Sequence, residues 1–152
     1  MINKNLIKFI MLLLFVSSCG YNPIFSNKNS NFSIYELSSS GNSKLNKIIN
    51  SRLKVYKDSN SLKKFSIGLE TSLNKKIASK DSKGNPKTFR LSIESKVSIK
   101  DNDGNIRKKS FSKTIDYNNK SNKSQLKKYE NETSRNLAEK VSEEIIIYLQ
   151  SI

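Results

Sequence analysis

Cys19 is the chain's one cysteine, and its neighbours limit what its sulfur can do. Met1 to Lys8 carries Lys4 and Lys8 and no acidic residue, Phe9 to Val16 is an unbroken run of eight apolar residues, and Ser17 and Ser18 precede the thiol. A basic start, a short apolar run and a small-residue exit describe an export signal. The run is far below the roughly 20 apolar residues that span a bilayer. Other reactive constellations are missing. The chain has no histidine and no tryptophan, which removes the commonest general base near neutral pH and the commonest metal ligand. There is no Gly-x-Ser-x-Gly elbow. Ser61-Leu62-Lys63-Lys64 and Ser72-Leu73-Asn74-Lys75 match Ser-x-x-Lys, as chance provides in so Ser- and Lys-rich a chain. Asp101-Asn102-Asp103-Gly104-Asn105 has the outline of a calcium loop but lacks the third ligand spacing and the closing Glu, so a tight turn is expected there. No enzyme activity, metal or cofactor is expected.

Val16-Ser17-Ser18-Cys19 resembles a bacterial lipobox, whose cysteine is acylated and becomes the first residue of the mature protein. Residues 1–18 then form the signal peptide, 19–30 a lipidated linker and 31–152 a single domain. Removing the signal takes away two lysines and no acid, which leaves 26 basic and 13 acidic side chains and a net charge of +13. With Cys19 spent on lipid, no disulfide can staple the fold, and packing alone must hold it. Lys, Asn, Ser and Ile dominate, so part of the charge is compositional and scattered lysines on a solvated surface are the plain alternative. The surplus nonetheless favours an anionic partner. Nucleic acid would be the usual inference, but export removes it and leaves lipid phosphates and lipopolysaccharide as the abundant polyanions.

Elements must position these groups. Gly20 to Ser30 reads as a linker. Phe32, Ile34 and Leu37 predict a short first strand ended by Ser38-Ser39-Ser40-Gly41. Ser43 caps a predicted helix from Lys44 to about Tyr56, whose stripe runs Leu45, Ile48, Ile49, Arg52, Leu53 and Tyr56. Residues 65–78 alternate through Phe65, Ile67, Leu69, Thr71 and Leu73 as a strand with one buried face. The cluster Asp81 to Pro86 is a turn. Phe89, Leu91, Ile93, Val97 and Ile99 repeat the alternation, with Ser95 as its small member, and Asp101–Asn105 closes a hairpin. Phe111, Ile115 and Tyr117 mark a fourth strand in which Lys113 falls on the apolar phase, resolved by a bulge or by snorkelling. Beyond Ser121–Ser124, Leu126, Tyr129, Thr133, Leu137, Val141, Ile145, Tyr148 and Leu149 predict a helix longer than 25 residues. The order strand, helix, three strands, helix predicts an α+β two-layer sandwich, two helices packed on one face of a roughly four-stranded sheet, with the other face polar.

Cys19-Gly20-Tyr21-Asn22-Pro23-Ile24-Phe25 is similar to the C-G-[FY]-x-P-[LI]-[YF] start of alphaproteobacterial members of the LptE family of lipopolysaccharide-assembly lipoproteins. The element order also resembles that family's two helices on a four-stranded sheet, and Arg135-Asn136-Leu137-Ala138 within Tyr129 to Leu149 resembles its final helix. The resemblance implies a lipid-anchored, periplasm-facing outer-membrane protein. Such a protein plugs and helps assemble the LptD β-barrel and aids lipopolysaccharide transport to the outer leaflet. The alternative is a free-standing envelope lipoprotein that binds acidic polymers or lipids. Even-numbered positions of the middle strands carry Lys76, Arg90, Lys96, Lys100 and Lys108, most of them expected near the Asp101–Asn105 hairpin, where they could meet lipid A phosphates. The plain alternative is that they blunt the sheet against edge aggregation. Glu70 and Glu94 share their nominal face.

Overall fold

The computed structural model describes residues 30–57 and 61–152, so the signal, Cys19 and the linker up to Asn29 lie outside the described residues. The elements run β1 (Phe32–Gly41), α1 (Ser43–Leu53) continuing into a 3-10 turn (Lys54–Tyr56), β2 (Lys63–Lys80), β3 (Pro86–Lys100), β4 (Ile106–Asn118) and α2 (Lys123–Ser151). The sheet order is β1-β2-β3-β4. β1 is parallel to β2, with α1 as the crossover that a parallel pair requires, and the other two pairs are antiparallel. The predicted α+β arrangement is the observed one.

Both helices cover the same face. α1 packs on β1 and β2, α2 on β3 and β4, and the helices pack on each other. Period-2 alternation delivers Phe65, Ile67 and Leu69 from β2, Leu91, Ile93, Val97 and Ile99 from β3, and Phe111 and Tyr117 from β4 into one core. Helical spacing brings Leu45, Ile49 and Leu53 from α1, and Leu137, Val141, Ile145 and Leu149 from α2, to meet them. Asn42 and Asn122 cap the two helices, accepting from Leu45 N at 3.1 Å and from Ser124 N and Gln125 N at 3.0 and 3.1 Å.

Several local expectations are corrected. β1 does not end at Leu37, because its serines pair with β2 as far as Gly41 opposite Thr71. The cap of α1 is Asn42 rather than Ser43, and its α-helix ends at Leu53, with Lys54–Tyr56 tightening to a 3-10 turn. β4 has no bulge: its register with β3 is unbroken, and the Lys113 amine instead reaches the Glu144 carboxylate on α2. Register shifts occur instead in β1, where Tyr35 is the extra residue between Ile34 and Glu36, and in β2 around Ser79. At Gly41 (φ +86°), a Cβ would stand 2.1 Å from the Thr71 carbonyl oxygen, so only glycine lets β1 swing there into α1. The following Asn42 N–H donates to that same oxygen at 2.9 Å. Buried Asn46 completes the junction, donating to Ser40 O at 2.8 Å and accepting from the Thr71 hydroxyl.

Candidate functional site: the open face of the sheet

The face turned away from the helices is built by register. Reading across the strands, Glu36, Ser66, Lys100 and Ile106 form one row, Ser38, Gly68, Ser98 and Lys108 the next, and Ser40, Glu70, Lys96 and Ser110 the third. Ser72, Glu94 and Ser112 follow, and Lys76, Arg90 and Asp116 stand near the Asp81–Asn85 turn. All five sequence-predicted cations therefore occupy this face, but in two groups. Lys96, Lys100 and Lys108 gather toward the Asp101–Asn105 hairpin, called here the hairpin end. Lys76 and Arg90 are cross-strand partners at the distal end, away from it.

The groups differ in availability. Arg90 donates to both carboxylate oxygens of Asp116, at 2.7 and 2.8 Å, and that hydrogen bonding holds Asp116 below its ordinary pKa. Its charge is already answered. The side-chain amines of Lys96, Lys100 and Lys108 make no ion pair or hydrogen bond among the described residues.

Lys96 and Lys108 look over a shallow basin of about 670 Å³ whose floor is Gly68. A Cβ there would have Ser38 Oγ at 3.6 Å and Ser98 Cβ at 3.9 Å, so the missing side chain leaves a dip between two serines. Ser40 and Ser110 complete the hydroxyl ring, and Glu70 contributes one carboxylate opposite Lys96. Ammonium groups offer charge-assisted bonds to phosphate, while serine hydroxyls both donate and accept, as sugar hydroxyls do. The lysines were legible from alternation. The basin was not, because Ser38 and Ser40 enter it only through the unexpected length of β1.

Asp101 Oδ1 accepts from the backbone N–H groups of Asp103 and Asn105 at 3.1 and 2.8 Å, which makes the hairpin a carboxylate-closed turn. Asp81 closes its own turn in the same way, with Lys83 N at 2.9 Å and Asn85 N at 2.8 Å. Among the described residues, no cluster of His, Cys, Asp or Glu has the makings of a metal site, and no helix is long and apolar enough to cross a membrane.

No family model matches the chain, and no curated protein matches its sequence. Solved structures do. Rare lipoprotein B from Shewanella oneidensis matches with a TM-score of 0.62 at 17% identity, over 78% of this chain and 95% of its own. A minor lipoprotein from Acinetobacter baumannii matches with a TM-score of 0.58 at 13% identity, over 81% and 92%. A lipoprotein B from Nitrosomonas europaea gives 0.56 at 11% identity, over 78% and 84%. At such identities the likeness is one of architecture, and nearly the whole of each of these proteins takes part in it. The chain has the fold of the rare lipoprotein B-type lipoproteins.

Proposed function

We propose that the chain is a lipid-anchored outer-membrane protein that plugs and helps assemble the LptD β-barrel translocon, and so aids lipopolysaccharide transport to the outer leaflet. Its role is one of binding rather than catalysis. The observation that carries this reading is the fold shared with rare lipoprotein B across 95% of that protein. The export signal and the Cys19–Phe25 start, both outside the described residues, support it. So does the open face: a sheet packed on one side and hydrophilic on the other suits a water-lined barrel interior.

Within that reading, Lys96, Lys100 and Lys108 meet lipid A phosphates above the Gly68 basin, and the serines meet its sugar hydroxyls. The test is to purify the acylated full chain in mild detergent and identify what comes with it by mass spectrometry. A co-purifying large β-barrel is expected, and its absence overturns the plug. Lys96→Glu with Lys100→Glu should weaken lipopolysaccharide binding and leave barrel recovery intact. The difference should shrink in salt, because the Debye length falls from about 10 Å at 0.1 M to about 3 Å at 1 M. A recovered barrel with unchanged lipopolysaccharide affinity in the double variant rejects the lysine site alone. The rival, a free-standing lipoprotein for acidic envelope lipids or polymers, draws on the same unpaired lysines. It predicts a protein that leaves detergent without a partner.

A further inference from the structure

Five of the seven exposed large apolar side chains among the described residues gather at the hairpin end, while Leu73 and Ile77 lie further along β2, away from it. Leu62 is 94% exposed, Ile106 61% and Tyr35 50%. All three belong to the hairpin end. Tyr35 and Leu62 line one pocket with Lys64, Lys100 and the Asp101–Gly104 loop, and Ile106 is the cross-strand partner of Lys100. The loop is fixed to β2, since Asn102 donates to Leu62 O at 2.8 Å and accepts from Lys64 N at 3.2 Å. Exposed Val55 and Ile147 stand in the helix layer of the same end. Val55 lies just before Lys57, which bridges to Ile34, and Ile147 lies one turn before Gln150, which bonds Asn31.

Charge gathers there too. Lys57, Lys64, Lys100, Arg107 and Lys108 face Glu36, Asp101 and Asp103 among the described residues. Two of those acids are engaged, Glu36 by the Ser66 hydroxyl at 2.8 Å and Asp101 by its own turn and Arg107. The chain also enters the fold here, with Phe32 paired to Lys63 and Asn31 donating to Gln150 O at 3.0 Å. The stretch between Cys19 and Ser30 reaches at most about 40 Å when extended. A lipid on Cys19 therefore holds this end within about 40 Å of the bilayer, nearer its anchor point than the distal end is along the chain.

We propose that the hairpin end is a membrane-contacting pad. Leu62, Ile106 and Tyr35 insert at the headgroup boundary while Lys64 and Lys100 meet anionic phospholipid headgroups, giving the domain a second hold beside its tether. Mixed basic and apolar exposure is the chemistry of an interfacial contact, and one signal alone anchors only weakly. The pad shares Lys100 with the lipid A site proposed above, but flotation on vesicles without barrel or lipopolysaccharide tests it separately from the barrel reading.

The test uses the mature chain, residues 19–152, with Cys19→Ser so that no acyl chain contributes. Every buried core residue among the described ones lies between Phe32 and Leu149, so this chain carries the whole fold. Flotation is compared on phosphatidylcholine vesicles with and without phosphatidylglycerol. Partitioning onto the anionic vesicles is expected, at about fivefold per lysine engaged. Lys64→Glu with Lys100→Glu should cut it by about tenfold or more, Leu62→Ser with Ile106→Ser should cut it at an unchanged melting temperature, and Lys76→Glu with Lys83→Glu at the distal end should not. A wild-type chain that stays in solution overturns the pad. An equal loss in the distal variant overturns it in favour of diffuse charge attraction. Self-association abolished by Leu62→Ser, without flotation, reassigns the patch to a second copy.

Discussion

On the covered side of the sheet, Phe65, Ile67, Leu69, Ile93, Val97 and Ile99 stand under two helices with almost no exposure. One residue along the same strands, Glu70, Glu94, Lys96 and Lys100 stand in water with no helix above them. Composition cannot explain the contrast, since both sets come from β2 and β3. Side-chain direction explains it: successive residues of a strand point to opposite faces, so one stretch of chain can supply a core and a binding surface at once. The consequence is a division of labour. Stability should be concentrated on one face, leaving the other free to carry unanswered charge.

The hardest test of that division is a cavity under the helices. Ile93→Ala, at a position with no exposure, should lower stability by about 2–5 kcal/mol in denaturant unfolding. A loss below about 1 kcal/mol would mean that the helices do not seal that face. Next comes the junction between β1 and α1. Gly41→Ala should cost about 1–3 kcal/mol from its left-handed conformation alone, with the Thr71 carbonyl adding to that, visible as a fall in melting temperature.

A third effect is set by pH. Glu130 on α2 accepts from Lys75 Nζ and from the Tyr117 hydroxyl, each at 2.6 Å, tying the helix to β2 and β4. Burial by itself would raise its pKa, but those two bonds outweigh burial and hold the carboxyl below its ordinary value. The folded chain therefore takes up this proton at lower pH than the unfolded chain does. The resulting stability is complete above the ordinary glutamate range and is lost as pH falls through the lowered folded value. Glu130→Gln should flatten that part of the decline, measured as melting temperature between about pH 7 and pH 3. Equal slopes would show that the bonds do not persist in solution.

Three smaller changes separate the faces further. Ser95 has no exposure, and its hydroxyl has no hydrogen-bond partner among the described residues. Ser95→Ala should be neutral or stabilising by up to about 1 kcal/mol. On the open side, Lys96→Ser and Lys108→Ser should each fall within about 0.5 kcal/mol of wild type. A large loss at either would break the division, because an unanswered cation would then be holding the fold.

Much of this arrangement was legible because alternation and helical spacing are local signals. Phe65 to Leu69, Leu91 to Ile99 and Leu126 to Leu149 announced their buried faces, and the even positions announced the lysines. What escaped depends on partners far along the chain. Ser38 to Gly41 are polar and read as a strand's end, yet they lie in β1 because β2 supplies their backbone partners about thirty residues later. Asn42 beat Ser43 to the cap because Gly41 turns the chain one residue sooner than helix chemistry alone suggests. Lys113 needed Glu144 on another element. The split of the cations followed from two registers: β2–β3 sets Lys76 beside Arg90, and β3–β4 sets Asp116 opposite Arg90 to answer it. The Gly68 basin is a property of four adjacent strands and has no signature in any one of them.

The clasp between Asn31 and Gln150, 119 positions apart, has a consequence in time. A chain made from its amino end presents β1, α1 and all of β2 to β4 before α2 exists, and α2 brings Leu137, Val141, Ile145 and Leu149 to the core. Until those last residues arrive, half of the apolar face has no cover. The molecule cannot close by instalments. Its nascent form is therefore an adhesive sheet in need of a holder, and completion of the final helix is the moment at which it becomes safe in water.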